Sequence, residues 1–372
     1  MSTVETDPLI HTGPDLDPGL QKPHRPITLV DRRWRNFKAN KRAWYSSWIF
    51  SVLFICSLGA ELIANDKPIL LYVDGGIYFP FLVMYPETSF ADEITPADEL
   101  FETETIYRDP FFQDLIKRQD GWMIWPMVRY ANNTMDLFIE KPAPVPPSAT
   151  HWLGTDDLGR DVFAKVIYGF RLSILFGLGL TICSTIIGIS AGAIQGYFGG
   201  WLDLVMQRLI EMWAGMPILF LLIILASMVE PTPGWLFLLL LLFSWMALVG
   251  IVRAEFLRAR NLEYVRAARA LGVGNITIMA KHVLPNAMVA ALTMVPFILT
   301  NSVVLLTSLD FLGFGLPSDA PSLGRLIKQA VSNLQAPWLG FTAFFTIGIM
   351  LTLLIFIGEG IRDAFDPRKT FA

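Results

Sequence analysis

EYVRAARALGVGNITIMAKHVLPNA, residues 263–287, lies between two long apolar segments. A loop between membrane-crossing helices needs only a few polar residues, yet this one carries the signals of a folded helix. Asn261 is a good N-cap, and Glu263 puts an acid into the first turn, where the helix dipole favours it. Tyr264, Ala268 and Leu271 recur at i, i+4 and i+7 and predict one apolar stripe, with Arg266 and Arg269 off it. Gly272 suits the left-handed position just past a helix end, and Gly274 lets the chain turn again. A second short helix is expected before Pro285, which suits the first turn of the next segment. A short helix with small residues on one side fits a groove on another protein. The same stripe resting on lipid headgroups is the alternative reading.

The flanking segments set the class of the protein. Hydrophobic residues make up 53% of the 372 and charged residues only 17%, too little charge for a soluble domain of this size. About 20 apolar residues cross the hydrocarbon core as a helix. Six such windows occur, near Tyr45–Ala64, Leu172–Ile194, Leu209–Val229, Trp235–Val252, Met288–Leu309 and Trp338–Gly358. The first starts too far in and runs too long for a signal peptide. Cys56 and Cys183 each sit in an apolar run and read as small packing residues, not as a disulfide or metal pattern.

Basic residues orient the spans. Arg32, Arg33, Arg35, Lys38, Lys41 and Arg42 precede the first and predict a cytoplasmic N-terminus. Residues 67–150 hold 13 acidic and 6 basic residues, as an external segment should. Six alternating spans then put Arg253, Arg258, Arg260, Arg266, Arg269 and Lys281 inside, together with Arg362, Arg368 and Lys369. The expected organisation is a cytoplasmic tail over 1–44, a first span over 45–64, a periplasmic insertion over 65–150 and a five-span core over 151–372 with its cytoplasmic loop at 253–285.

Within the tail, residues 1–31 show no hydrophobic period and read as flexible. In the insertion, PILLYVDGGIYFPFLVMYP predicts two strands joined at Asp74-Gly75-Gly76. GWMIWPMVRY and MDLFIE are further strand candidates, and KPAPVPPSAT is a proline-rich extended linker. A small β-rich subdomain follows from these, and an irregular capping loop is the alternative. Trp122 and Trp125 are its candidate docking aromatics. Elsewhere, Gly188, Gly192 and Gly196 predict a close helix–helix contact. Glu211 has Arg208 within i,i+3 reach, and Glu61 reads as snorkelling to water. Leu323, Leu326 and Ile327 suit a short helix in the outer interface.

Catalytic patterns are missing. The sequence has no G-x-x-x-x-G-K-[ST] phosphate loop and no H-E-x-x-H. His11, His24, His151 and His282 are scattered and read as solvated surface residues. Nothing pairs a nucleophile with a base, so no enzyme, no metal site and no nucleic-acid site is expected.

The opening stretch resembles the EAA loop of ABC-importer permeases, patterned E-A-A-x3-G-x9-I-x-L-P. Aligned on Gly272 and Leu284-Pro285, the two alanines fall on Ala267 and Ala268. Arg266 stands where the family has Glu, with Glu263 one turn earlier, and His282 stands where it has Ile. HWLGTDDLGRDVFAKVIYGFRLSILFG, GYFGGWLDLVMQRLIEMWAGMP, SLDFLGFGLP and IRDAFDPR resemble the second permease of dipeptide and oligopeptide importers. The long insertion with AELIANDKP at its start, and NLQAPWLG before the last span, is similar to the Yej-type importers of peptides and microcin C.

The resemblance implies an all-α type I permease subunit with six transmembrane helices, forming half of an inner-membrane path for oligopeptides. It implies three protein partners besides membrane lipid: a second permease, an ATPase with two nucleotide-binding domains that holds ATP with Mg, and a periplasmic peptide-binding protein; it implies no cofactor in this chain. Residues 261–272 become the coupling helix seated in the ATPase, with Glu263, Arg266, Ala267, Ala268 and Gly272 at the contact and Leu284 and Pro285 fixing the exit. The same architecture also serves other solutes, such as nickel or a glycan. A membrane-anchored sensor or enzyme working through residues 67–150 is the reading from another class.

Overall fold

Residues 28–366, apart from 93, 138, 140, 230 and 231, are described by the computed structural model. Residues 1–27 of the expected flexible tail, together with Arg368 and Lys369, lie outside the described residues. Helix α1 (Leu29–Ala39) opens on a capping box between Thr28 and Asp31. Asn40 ends it and caps α2 (Lys41–Leu58). Gly59 interrupts that first apolar segment, and α3 (Ala60–Ile63) finishes it, so the expected first span is an 18-residue helix plus one turn.

Helix α5 (Val162–Phe198) is 37 residues long and organises the rest. Asp161 caps it by accepting from the Ala164 N–H at 2.8 Å. The three glycines of its second half meet α9 (Met246–Ala259). A Cβ on Gly188 would lie 2.5 Å from the Trp245 carbonyl, on Gly192 2.8 Å from that of Val249, and on Gly196 2.5 Å from that of Arg253. The expected close contact is therefore present, and its register runs upward on both helices, so α5 and α9 are parallel. The chain must return between them, and α6 (Gly200–Ala214) and α7 (Ile218–Ser227) make that return. This pair is bent by 77°. Pro217 has no N–H to give, and Gly215 ends α6. The expected third span is thus a broken one. Arg208 and Glu211 pair on α6 as expected.

Helix α8 (Pro233–Ser244) leads into α9. Residues 275–312 are one apolar helix in place of a short helix followed by a span. It begins as α11 (Asn275–Thr277), widens through a π turn at Ile278–Val283 and continues as α12 (Leu284–Leu312). Pro285 sits in the first turn of α12, as expected, and the wider turn upstream makes room for its ring. Leu299 and Val303 of α12 meet Gly177, while Ala287 and Ala291 share a core with Ala193 and Tyr197, so α12 runs antiparallel to α5. The last helix, α14 (Pro337–Phe365), runs antiparallel to α12, and α2 packs antiparallel to it, with Ala43 against Gly360.

These directions put α1, the 260–275 loop and the end of α14 at one end of the molecule. Residues 65–160 and α13 (Leu323–Ser332) lie at the other. Among the described residues, four helices are long and apolar enough to cross a membrane, and the bent pair makes a fifth if it counts as one span. The chain is a mostly helical, polytopic integral membrane protein. Helix α13 departs from its expected interfacial role. Leu323 and Leu326 are buried against α5, α12 and α14, and Arg325 donates to the Leu316 and Pro317 carbonyls at 2.6 and 2.8 Å.

Residues 65–150 are less β-rich than expected. β1 (Leu70–Val73) pairs antiparallel with β2 (Gly76–Tyr78) and with β3 (Trp122–Ile124). Asp74 and Gly75 both have positive φ, 47° and 74°, as a two-residue hairpin turn requires. A helix, α4 (Pro110–Arg118), covers the sheet, burying Phe112, Leu115 and Ile116 with Phe90 and Tyr107. The strand expected at MDLFIE reduces, among the described residues, to a single bridge between Met135 and Arg160.

Candidate coupling site

Helix α10 (Glu263–Ala270) forms where the sequence placed it, with a different start. Leu262 is the N-cap residue and has no side-chain cap bond, while the Asn261 amide donates backwards to the Leu257 carbonyl at 3.4 Å. The far end follows expectation. Gly272 takes φ +79°, its N–H donates to Arg269 O at 3.0 Å, and the Val273 N–H donates to Ala268 O at 3.1 Å. These are the two bonds of a Schellman cap. No atom lies within 4 Å of a Cβ built on Gly272, so backbone conformation alone selects glycine there.

The expected stripe does not stay together. Ala268 is only 8% exposed and Val265 fully buried, both packed on α5, α9 and α12 of their own chain. Tyr264 faces partly outward, and Leu271 is 84% exposed. Ile276, one turn beyond the cap, is 82% exposed. Ala268 therefore seats α10 on its own subunit, and the most exposed apolar side chains of the loop are Leu271 and Ile276. Glu263, Arg266, Ala267 and Gly272 lie on the exposed side, as does Pro285, while Leu284 packs against the core beneath.

Two polar contacts fix α10 to the spans. The Tyr197 hydroxyl, at the end of α5, donates to Asn275 Oδ1 at 2.8 Å and accepts from Arg269 Nη2 at 3.3 Å. Asn286 on α12 donates to the Tyr264 hydroxyl at 3.3 Å. One tyrosine thus ties both arms of the loop to α5, and a second ties α10 to α12. Arg253 on α9 holds Asp203 on α6 through two N–H donors. These contacts join α10 to α5 and α12, and α9 to α6. Tyr197 was missed in the sequence because it lies 78 residues from Asn275 and has no periodic signature.

The opposite end carries a second buried polar assembly. His151 is buried, contrary to the solvated reading. Its Nδ1 lies 2.8 Å from Asp161 Oδ2 and its Nε2 3.2 Å from Asp136 Oδ2. Burial pushes the imidazole pKa down, but hydrogen bonds and charge from Asp161 and Asp136 outweigh it and hold the pKa above the ordinary histidine value. Tyr130 donates to Asp136 at 2.7 Å, and burial with that bond pushes its pKa up to about 12. Asp161 caps α5 while Asp136 belongs to the insertion, so His151 joins the insertion to the core. Lys165 pairs with Asp156 nearby, and Gln329 of α13 donates to Asp156 and Asp157. Glu61, expected to reach water, pairs with Arg171 at 2.8 Å.

The two candidate docking tryptophans divide. Trp122 is half exposed and stacks on Tyr72, whereas Trp125 packs against the subdomain core with Arg129 over its ring. Both cysteines are free, Cys56 exposed on α2 and Cys183 half-buried on α5. Among the described residues no group of three or more His, Cys, Asp or Glu is arranged to hold a metal ion.

Residues 184–371, which include α10 and its anchors, match the family described as binding-protein-dependent transport system inner membrane component. This chain belongs to that family. Within the family, residues 28–90 also match the N-terminal TM domain of oligopeptide transport permease C. Two relatives align end to end. The chain is 55% identical to the peptidoglycan transport system permease protein YejE of Agrobacterium fabrum, over 95% of this chain and 97% of the relative. It is 53% identical to the inner membrane ABC transporter permease protein YejE of Escherichia coli, over 91% and 96%. It is 36% identical to the dipeptide transport system permease protein DppC of Bacillus subtilis, over 60% of this chain and 71% of the relative.

Proposed function

We propose that this subunit forms half of the inner-membrane path of an ATP-binding-cassette importer for oligopeptides, and that α10 couples the path to a separate ATPase. The observation that carries the coupling role is the pairing of a rigid inner face with an exposed outer one. Val265, Ala268 and Tyr197 lock the loop to three spans, while Leu271 and Ile276 are left outside. Large apolar side chains held outward on a capped turn suit a cleft on another protein. Six spans follow if α2–α3 crosses beside the four long helices and the bent pair. The termini and α10 then lie in the cytoplasm, and residues 65–150 in the periplasm. A second permease completes the path, the ATPase supplies both nucleotide sites with ATP and Mg, and a periplasmic binding protein delivers the peptide. This chain carries no catalytic step. Closure of the ATPase halves would move α10, and its anchors would rotate α5, α9 and α12 as a body.

The test is Leu271→Asp and Ile276→Asp in the assembled complex. Both side chains are outside the core, so insertion should be normal while ATPase copurification and peptide uptake are lost. Retained ATPase binding in both variants would remove the coupling role. A cysteine at Phe101, in a chain lacking Cys56 and Cys183, should react with an impermeant thiol reagent from outside, and one at Ile276 only from inside.

One observation favours a second cargo reading. The relative from Agrobacterium fabrum is named for peptidoglycan transport. Peptides carrying amino sugars would then pass by the same route, and competition between a free peptide and its sugar-linked form for uptake separates the two.

A further inference from the structure

Helix α1 packs on α2 and α14 through Phe37, which shares a core with Ala43 and Ala364. Between it, the start of α2 and the last turns of α14 runs an open groove of ≈ 630 Å³. Its walls include Trp34 and Phe37 from α1, Trp44 and Trp48 from α2, and Ile361 and Phe365 from α14. The indoles form a connected ladder, Trp34 edge-on to Trp44 at 5.7 Å and Trp44 edge-on to Trp48 at 5.9 Å. Trp34 and Trp48 nevertheless remain more than half exposed, so the ladder is fixed in shape but unfilled on its open side.

The rim is cationic. The Arg33 guanidinium lies 4.4 Å from the Phe365 ring centroid, and the Lys38 ammonium lies 5.2 Å from the Trp34 ring and 5.3 Å from that of Trp44. Arg35 on α1 and Lys41 and Arg42 at the start of α2 are exposed. Two of the acids on α1 and α14 have polar partners of their own. Asp31 closes the capping box with Thr28, and Asp363 accepts from Asn40 at 3.4 Å.

We propose that this groove is a binding site for one anionic phospholipid, with an acyl chain along the indole ladder and the phosphate among Arg33, Lys38 and the exposed bases. An aliphatic chain removes the apolar walls from water without needing a polar partner. Indoles at the end of a span sit at headgroup level, and basic clusters beside a span select net negative lipid. A zwitterionic lipid offers the same chain without the net charge, so the cations supply the selectivity. Such a lipid would hold α1 against α14 and fix where α2 enters the bilayer. The proposal rests on α2 and α14 both crossing the membrane, as proposed above.

The experiment uses the complete importer complex, equilibrated with phosphatidylglycerol and phosphatidylcholine of identical chains, with retained lipid counted by native mass spectrometry. Wild type should be enriched in phosphatidylglycerol. Arg33→Gln with Lys38→Gln should lower the phosphatidylglycerol-to-phosphatidylcholine ratio by about fivefold per side chain, with total lipid little changed. Ser51→Phe, which fills the groove from α2, should lower both lipids together. Equal retention of both lipids by wild type, or undiminished phosphatidylglycerol in Ser51→Phe, overturns the site. If Ser51→Phe does not assemble, the double glutamine variant decides, and an unchanged ratio overturns the proposal. Labelling of Ala39→Cys from the outer face, in a chain lacking Cys56 and Cys183 and with enrichment intact, would instead overturn the topology and leave the site standing.

Discussion

The hydroxyl of Tyr197 and the side-chain carbonyl of Asn275 lie 2.8 Å apart, joining the last turn of α5 to the far arm of the coupling loop. Because Tyr197 also accepts from Arg269, a single phenol closes the loop on both sides of the Gly272 cap. The loop is therefore tied on both arms to the end of α5.

Tyr197→Phe removes both bonds and leaves the ring packed. A buried hydrogen bond contributes about 1 kcal/mol net, so the loop should loosen without unfolding. Peptide uptake should fall by about fivefold or more while the amount of assembled complex is retained. Uptake equal to wild type would show that the phenol is not part of the transmission.

Gly272 and Gly274 have equally open surroundings, with no atom within 4 Å of a built Cβ, but only Gly272 has positive φ. Gly272→Val should cost about 1–2 kcal/mol in backbone strain and reduce uptake. Gly274→Val, with φ at −63° and ψ at 149°, should behave as wild type. Protease sensitivity of the loop in the purified complex distinguishes them.

Contact between α5 and α9 leaves no room at Gly196, where a Cβ would meet Phe256 Cβ and the Arg253 carbonyl, both at 2.5 Å. Gly196→Ala should force the helices apart and lower stability by about 1–3 kcal/mol. Gly250→Ala, on α9 with nothing within 4 Å, is the matched control and should raise or preserve the melting temperature.

His151 should make the outer assembly sensitive to pH. Its folded pKa lies above the unfolded value, so protonation favours the folded arrangement. The stabilisation is complete below about pH 6.5, the ordinary histidine value, and is lost as pH rises through the raised folded pKa. Hydrogen exchange across residues 130–150 should accelerate over that rise. His151→Phe should exchange fast at low pH also and show no step; a step that survives in this variant would assign it to another group.

The helices long and apolar enough to cross a membrane were legible in the sequence, because each is decided locally. A helix in hydrocarbon satisfies its own backbone bonds, so length and apolar content suffice to find it. That holds for α5, α8–α9, α12 and α14, which recur where the apolar windows lie. Gly272, the turn at Asp74-Gly75 and the glycines of α5 were readable for a related reason. Gly272 and the Asp74-Gly75 turn answer a positive φ, and the α5 glycines answer a close approach of α9 that leaves no room for a Cβ.

Only the tertiary structure decided which way side chains face and what they meet. Ala268 and Leu271 share a stripe on an ideal helix, yet the core of α5, α9 and α12 takes Ala268 and the cap turns Leu271 outward. His151 reads as a surface residue until Asp136 and Asp161 close on it from different segments. The Tyr197 bond spans 78 residues, and the third apolar window, expected as one span, is bent by 77° between α6 and α7. Hydrophobic periodicity records how much surface a segment must hide; which neighbour hides it depends on packing among helices far apart in the chain.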